Sequence, residues 1–82
     1  MFRAEVRVSL KKGVADPEGQ NTKKALELLG FREVGEVRTE KLFVILLEGE
    51  DEAVARARVE DMCRKLLVNP VIHNFHINIL RE

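Results

Sequence analysis

The order strand, helix, strand, strand, helix, strand predicts an α+β fold in which an antiparallel sheet carries its helices on one face. Three patterns give that order: strict alternation from Phe2 to Leu10, two stretches with apolar residues at helical spacing, and a continuous apolar run at Leu42–Leu47. The 82 residues suit one domain, spanning 1–82. A domain of this size buries only roughly 60–65% of the surface its unfolded chain exposes, so its core is modest and elaborate chemistry has to be shared with other chains.

Between Phe2 and Leu10, residues Phe2, Ala4, Val6, Val8 and Leu10 share one face and Arg3, Glu5, Arg7 and Ser9 the other, as in a half-buried strand. Lys11-Lys12-Gly13 ends it. Asp16-Pro17 then reads as a helix start, because an aspartate side chain accepts a free backbone N–H and proline fits the first turn. The helix runs to about Leu29, with Thr22, Ala25, Leu26 and Leu29 as its stripe and Gly30 to close it. Phe31 to Arg38 reads as a short edge strand interrupted by Gly35, and Thr39 to Lys41 as a tight connection. The next strand, Leu42–Leu47, is apolar throughout, as in a strand covered on both faces.

The acidic cluster Glu48 to Glu52 suits a helix N-terminus, whose partial positive charge favours carboxylates. This helix continues to Leu67 or Val68. Ala55, Val59, Met62, Cys63 and Leu66 form its apolar stripe, and Glu52/Arg56, Glu60/Arg64 and Asp61/Lys65 stand four apart as outer ion pairs. Asn69-Pro70 stops it, and Val71 to Leu80 is the final strand. The elements together make a ferredoxin-like βαββαβ fold: a four-stranded antiparallel sheet, two helices on one face, and the first and third strands in the middle. The helix-free face then presents either Leu42, Val44 and Leu46 or Phe43, Ile45 and Leu47, an apolar patch that favours oligomers. Alternation alone leaves the choice of set open; Phe43, Ile45 and Leu47 are taken as the candidate interface residues.

Charge and motifs exclude several classes of function. Fourteen Lys and Arg balance fourteen Asp and Glu, so no long-range field attracts nucleic acid. The longest apolar run is far too short to span a bilayer, and no basic, apolar leader marks the chain for export. Cys63 has no partner for a disulfide or a zinc site and lies on the inner helix stripe, which suits a reducing cytoplasm. His73 and His76 are three apart on a strand and point to opposite faces. The five glycines form no phosphate-binding motif. We therefore expect no catalytic, metal or cofactor site on this chain.

The loop segments are more specific than the periodicities. Val8-Ser9-Leu10-Lys11-Lys12-Gly13-Val14-Ala15-Asp16-Pro17-Glu18-Gly19 resembles the opening of the PurS family, in which a strand and a Lys-rich turn lead through D-P-x-G into the first helix. Ala25-Leu26-Glu27-Leu28-Leu29-Gly30-Phe31 is similar to its A-L-x-x-L-G-[YF], and Val37-Arg38 with Lys41 to its V-R-x-G-K hairpin. Met62 to Ile72 resembles M-C-x-x-L-L-x-N-P-V-I, the most distinctive segment. Glu40 stands where the family usually has Gly, and Phe75-His76 where a Tyr and an acid are common.

The resemblance implies a small non-catalytic subunit of phosphoribosylformylglycinamidine synthase (formylglycinamide ribonucleotide amidotransferase). In that enzyme a large synthetase subunit holds ATP and magnesium, a glutaminase subunit releases ammonia, and a PurS homodimer or homotetramer bridges them. It further implies partner contacts at the matching loops, Asp16, Pro17 and Gly19 and then Asn69 and Pro70, although capping and helix termination also account for these residues. A rival class is an ACT-like regulatory module that binds a small ligand, in which Gly13 or Gly19 would serve the turn after the first strand.

Overall fold

The strictest alternation in the chain becomes the centre of the sheet. In a computed structural model that describes residues 1–82, β1 (Phe2–Leu10) lies between β2 (Lys41–Leu47) and β3 (His73–Arg81) and is antiparallel to both. Pairing puts Ala4 beside Ile45 and Ile79, and Val6 beside Phe43 and Ile77. Because side chains alternate across a strand, one face collects Phe2, Ala4, Val6, Val8, Ile77 and Ile79, all buried. The other collects Arg3, Glu5 and Arg7 between Leu42, Val44 and Leu46 on one side and His76, Asn78 and Leu80 on the other.

Helix α1 (Pro17–Leu28) begins on the Asp16 cap and ends as the sequence predicts. Gly30, at φ 101°, passes its N–H to Glu27 O, and Phe31 N–H turns back to Leu26 O, closing the helix with two bonds that need a left-handed residue. Helix α2 (Glu52–Met62) starts later than the acidic cluster suggests, at the Asp51 cap, whose carboxylate accepts Ala53 N–H at 2.9 Å. Ala55, Val59 and Cys63 recur every four residues and lie against β1 and β3.

The last turn of this helix changes phase. Cys63–Leu67 is π-helical, with Val68 N–H bonded to Cys63 O at 3.0 Å. The wider turn carries Val68 into the core and leaves Leu66, which regular spacing places inside, 83% exposed. Of the three outer ion pairs, Asp61–Lys65 forms at 2.9 Å; Arg56 instead donates to Ile77 O at 3.4 Å.

Two expectations about the sheet are corrected within the single chain. It has three strands, with β1 alone in the middle. Residues 31–38 form no strand: after a turn at Arg32–Glu33 the chain runs from Val34 straight into β2, and residues 32–38 make no backbone–backbone hydrogen bond. The tight connection at Thr39–Lys41 is absent for a conformational reason. A two-residue hairpin turn uses positive φ, which no residue other than glycine adopts in this chain. The second correction concerns α1. Beyond its first turn it makes almost no contact with its own sheet, and Gly19 is its one buried residue, so α2 alone covers the core face.

The protomer is accordingly thin and long, 50 × 28 × 14 Å. Its radius of gyration is 16.3 Å, against about 12 Å for a compact domain of this length. Only 11 of 82 residues are buried.

Candidate partner interface

The residues singled out from sequence fall into three places. At the end of the sheet, Asp16 joins parts of the chain that are distant in sequence. Its carboxylate accepts the Gly19 N–H at 2.9 Å, the Thr39 N–H at 2.7 Å and the Thr39 hydroxyl at 2.8 Å. The Thr39 N–H above all, then the Gly19 N–H and the Thr39 hydroxyl, hold this carboxyl below the usual aspartate range. Pro17 supplies the first helical position. Gly19 is buried because the backbone of Val37 crosses directly over it; a Cβ there would collide with Val37 O. Asp16, Pro17 and Gly19 thus fasten α1 to residues 37–39 and form one arm.

A cleft of about 780 Å3 separates this arm from the end of β1, lined by Lys11, Lys12, Lys23 and Arg38 together with Asp16 and Glu36. Within the lining, Arg38 grips Glu36 through two nitrogens at 2.9 and 3.0 Å, while Lys23 reaches out of the cleft to Glu27 at 3.8 Å.

The Asn69–Pro70 loop, tied to the end of β1, is the second place. Asn69 Oδ1 accepts Val71 N–H, Asn69 O accepts the N–H groups of Ile72 and His73, and Asn69 N–H donates to His73 Nδ1 at 3.0 Å. Lys11 ties the loop to β1, Nζ to Pro70 O at 2.7 Å and N–H to Ile72 O at 2.8 Å. The loop is therefore firmly built, with Asn69 and Pro70 themselves exposed.

The third place is β2. Phe43, Ile45 and Leu47 face α2's side of the sheet and pack half-buried against the core. The helix-free set is Leu42, Val44 and Leu46, which are exposed. Alternation defines two sets but not which one faces the helices; the register with Phe2, Ala4 and Val6 decides it. Cys63 is buried, and burial pushes its thiol up, so it stays protonated. No three His, Cys, Asp or Glu side chains gather where they could share a metal ion, and no helix is long and apolar enough to cross a membrane.

Residues 3–81 match the family model PurS, described as phosphoribosylformylglycinamidine (FGAM) synthase. The chain belongs to the PurS family. A PurS subunit of phosphoribosylformylglycinamidine synthase from Methanocaldococcus jannaschii is 49% identical over 79 residues, covering 96% of this chain and 95% of the relative. The crystal structure of PurS from that organism superposes with a TM-score of 0.92 at 46% identity, over 100% of this chain and 99% of the other. A chain in the structure of PurLQS from Thermotoga maritima superposes with a TM-score of 0.87 at 28% identity, covering 96% of each. The PurS relatives thus share the thin, open protomer described above as well as its sequence.

Proposed function

We propose that this chain is the small, non-catalytic subunit of the purine-biosynthetic ligase phosphoribosylformylglycinamidine synthase. It works in the cytoplasm as a homodimer or homotetramer that bridges the synthetase and glutaminase subunits. The observation that carries this reading is the fit to a chain of PurLQS over 96% of both lengths. The protomer's own physics points the same way: a sheet with so small a core, apolar residues exposed along β2 and α1, and firmly tied loops at one end suits a piece that is completed by neighbours.

In this reading ATP and magnesium belong to the synthetase subunit, and this chain binds no cofactor. Its contribution is alignment. Ammonia released by the glutaminase is mostly protonated in neutral water, and ammonium has no lone pair with which to attack. Holding the two catalytic chains in register lets ammonia pass between them to convert formylglycinamide ribonucleotide to formylglycinamidine ribonucleotide. Asp16, Pro17 and Gly19, with Asn69 and Pro70, present the two loops that meet the catalytic chains. The test is reconstitution of the synthetase and glutaminase with and without this protein. Glutamine-dependent synthesis is expected to require it, while synthesis from added ammonium persists without it; equal glutamine-dependent rates in both mixtures would overturn the reading.

A further inference from the structure

The chain leaves helical geometry at Val68, whose φ of −127° and ψ of 133° are extended, and the next amide, that of Asn69, bonds no backbone carbonyl. Its acceptor is Nδ1 of His73, at 3.0 Å. The link is reciprocal, because the His73 N–H returns to Asn69 O at 2.9 Å, so one residue holds both polar groups of the Asn69 backbone. Pairing with β1 explains how the imidazole comes to be there. His73 stands opposite Leu10, on the row that continues through Phe75 to Ile77 and Ile79, at the end of the sheet from which the loop departs. His76, opposite Arg7, lies on the other face.

An imidazole accepts at Nδ1 only while that nitrogen keeps its lone pair, so the proton of the neutral ring is on Nε2. A proton taken up from water at Nδ1 turns the acceptor into a second donor aimed at the Asn69 N–H, and the bond breaks. No carboxylate is ion-paired with His73 to hold the new charge. The charged groups on the neighbouring elements are Lys11 and Lys12 after β1, the first with its Nζ on Pro70 O, and Arg64 and Lys65 on the last turn before the loop; Asp61 on α2 is engaged by Lys65 at 2.9 Å. The remaining ties, Val71 N–H to Asn69 Oδ1 at 3.0 Å and Lys11 Nζ to Pro70 O at 2.7 Å, do not depend on the ring. Loss of the Nδ1 bond therefore loosens the start of the loop and leaves the strand in place.

We infer that neutral His73 is a positioning residue for the Asn69–Pro70 loop, and that protonation of its Nδ1 frees Asn69 and loosens the loop. The consequence for assembly rests on the reading above that this loop meets a catalytic chain: that contact weakens as pH falls through the titration of His73.

The test is an NMR titration of the free protein from about pH 8 to 5, the interval in which histidine changes charge. The His73 ring nitrogens are read directly, and the protection of each amide is taken on the same samples after correction for intrinsic exchange. The expected result is an Nε2–H tautomer at the alkaline end and a loss of Asn69 protection of about tenfold, with the midpoint of the ring titration, while the Lys11 amide, bonded to Ile72 O, keeps its protection. His73→Asn puts an amide oxygen in the place of Nδ1 and cannot titrate, so its Asn69 protection should stay constant across the range. An Nδ1–H tautomer at the alkaline end, or Asn69 protection that ignores the ring titration, would overturn the inference. Association with the synthetase and glutaminase chains is then measured over the same interval for the parent and His73→Asn. Weakening in the parent and not in the variant is expected. Equal binding by both at every pH, with a loop that loosens as described, would leave His73 its positioning role and overturn the part given to this loop in the assembly.

Discussion

Asp16 reads as a routine helix cap in sequence and acts as a clip in three dimensions, because the same carboxylate that caps α1 also holds Thr39, 23 residues away. Asp16→Ala frees both ends of the clip. Hydrogen exchange at the Gly19 and Thr39 amides is expected to speed up by roughly tenfold, with the core amides of β1 unchanged. The clip is also the group whose acid sensitivity has a definite sign. Its carboxyl is held below the ordinary 3.8 by the Thr39 N–H first, so its contribution is fully present at neutral pH and is lost as pH falls below 3.8 through the lower folded value. Thermal unfolding followed from pH 7 downward should show a loss of stability in that window which Asp16→Ala lacks. Gly19→Ala acts on the same joint by steric means: the new Cβ meets Val37 O, and either the arm shifts or the helix start distorts. A loss of about 1–3 kcal/mol in urea denaturation is expected, in the range of overpacked sites.

Among the elements, β1 is the one whose loss matters most, since both neighbouring strands pair with it and it supplies Phe2, Ala4 and Val6 to the core. Phe2→Ala should cost about 3–5 kcal/mol, a large part of the ~4–12 kcal/mol available to a domain this size. Leu66 gives the opposite expectation: regular helical spacing makes it core, whereas the π turn exposes it, so Leu66→Ala should stay within about 0.5 kcal/mol of the parent in the same urea titration. Wherever a local pattern was sufficient, as in the alternation of β1, the Asp16-Pro17 and Gly30 ends of α1 and the Asn69-Pro70 stop, the sequence was legible. It was not legible where the outcome depended on distant groups. The residue 31–38 segment has strand-forming residues but no ladder within its own chain, α1 has an apolar stripe but no sheet beneath it, and the choice between Phe43, Ile45, Leu47 and Leu42, Val44, Leu46 came from register with β1. At the candidate site, sequence named the two loops but missed Thr39, Val37 and Lys11, whose roles come from tertiary contact; the family-like spacing from Val37-Arg38 to Lys41 was the available hint.

At the scale of the whole molecule, one chain is a slab 14 Å thick with few buried residues and apolar groups left open on several sides. So small a core leaves apolar surface for neighbours to cover, in keeping with a subunit of a larger enzyme. The isolated protein should accordingly have a molar mass that is a multiple of two 9.4 kDa chains, measured by light scattering at micromolar concentration. The most direct measurement of the bridging role is size exclusion with light scattering on the synthetase and glutaminase subunits, mixed with and without this protein in the presence of ATP, magnesium and glutamine. A single complex containing all three chains, with this chain in pairs, is expected, and no joint complex of the two catalytic chains in its absence. A synthetase–glutaminase complex that forms equally well without it, while this protein elutes alone, would contradict the account.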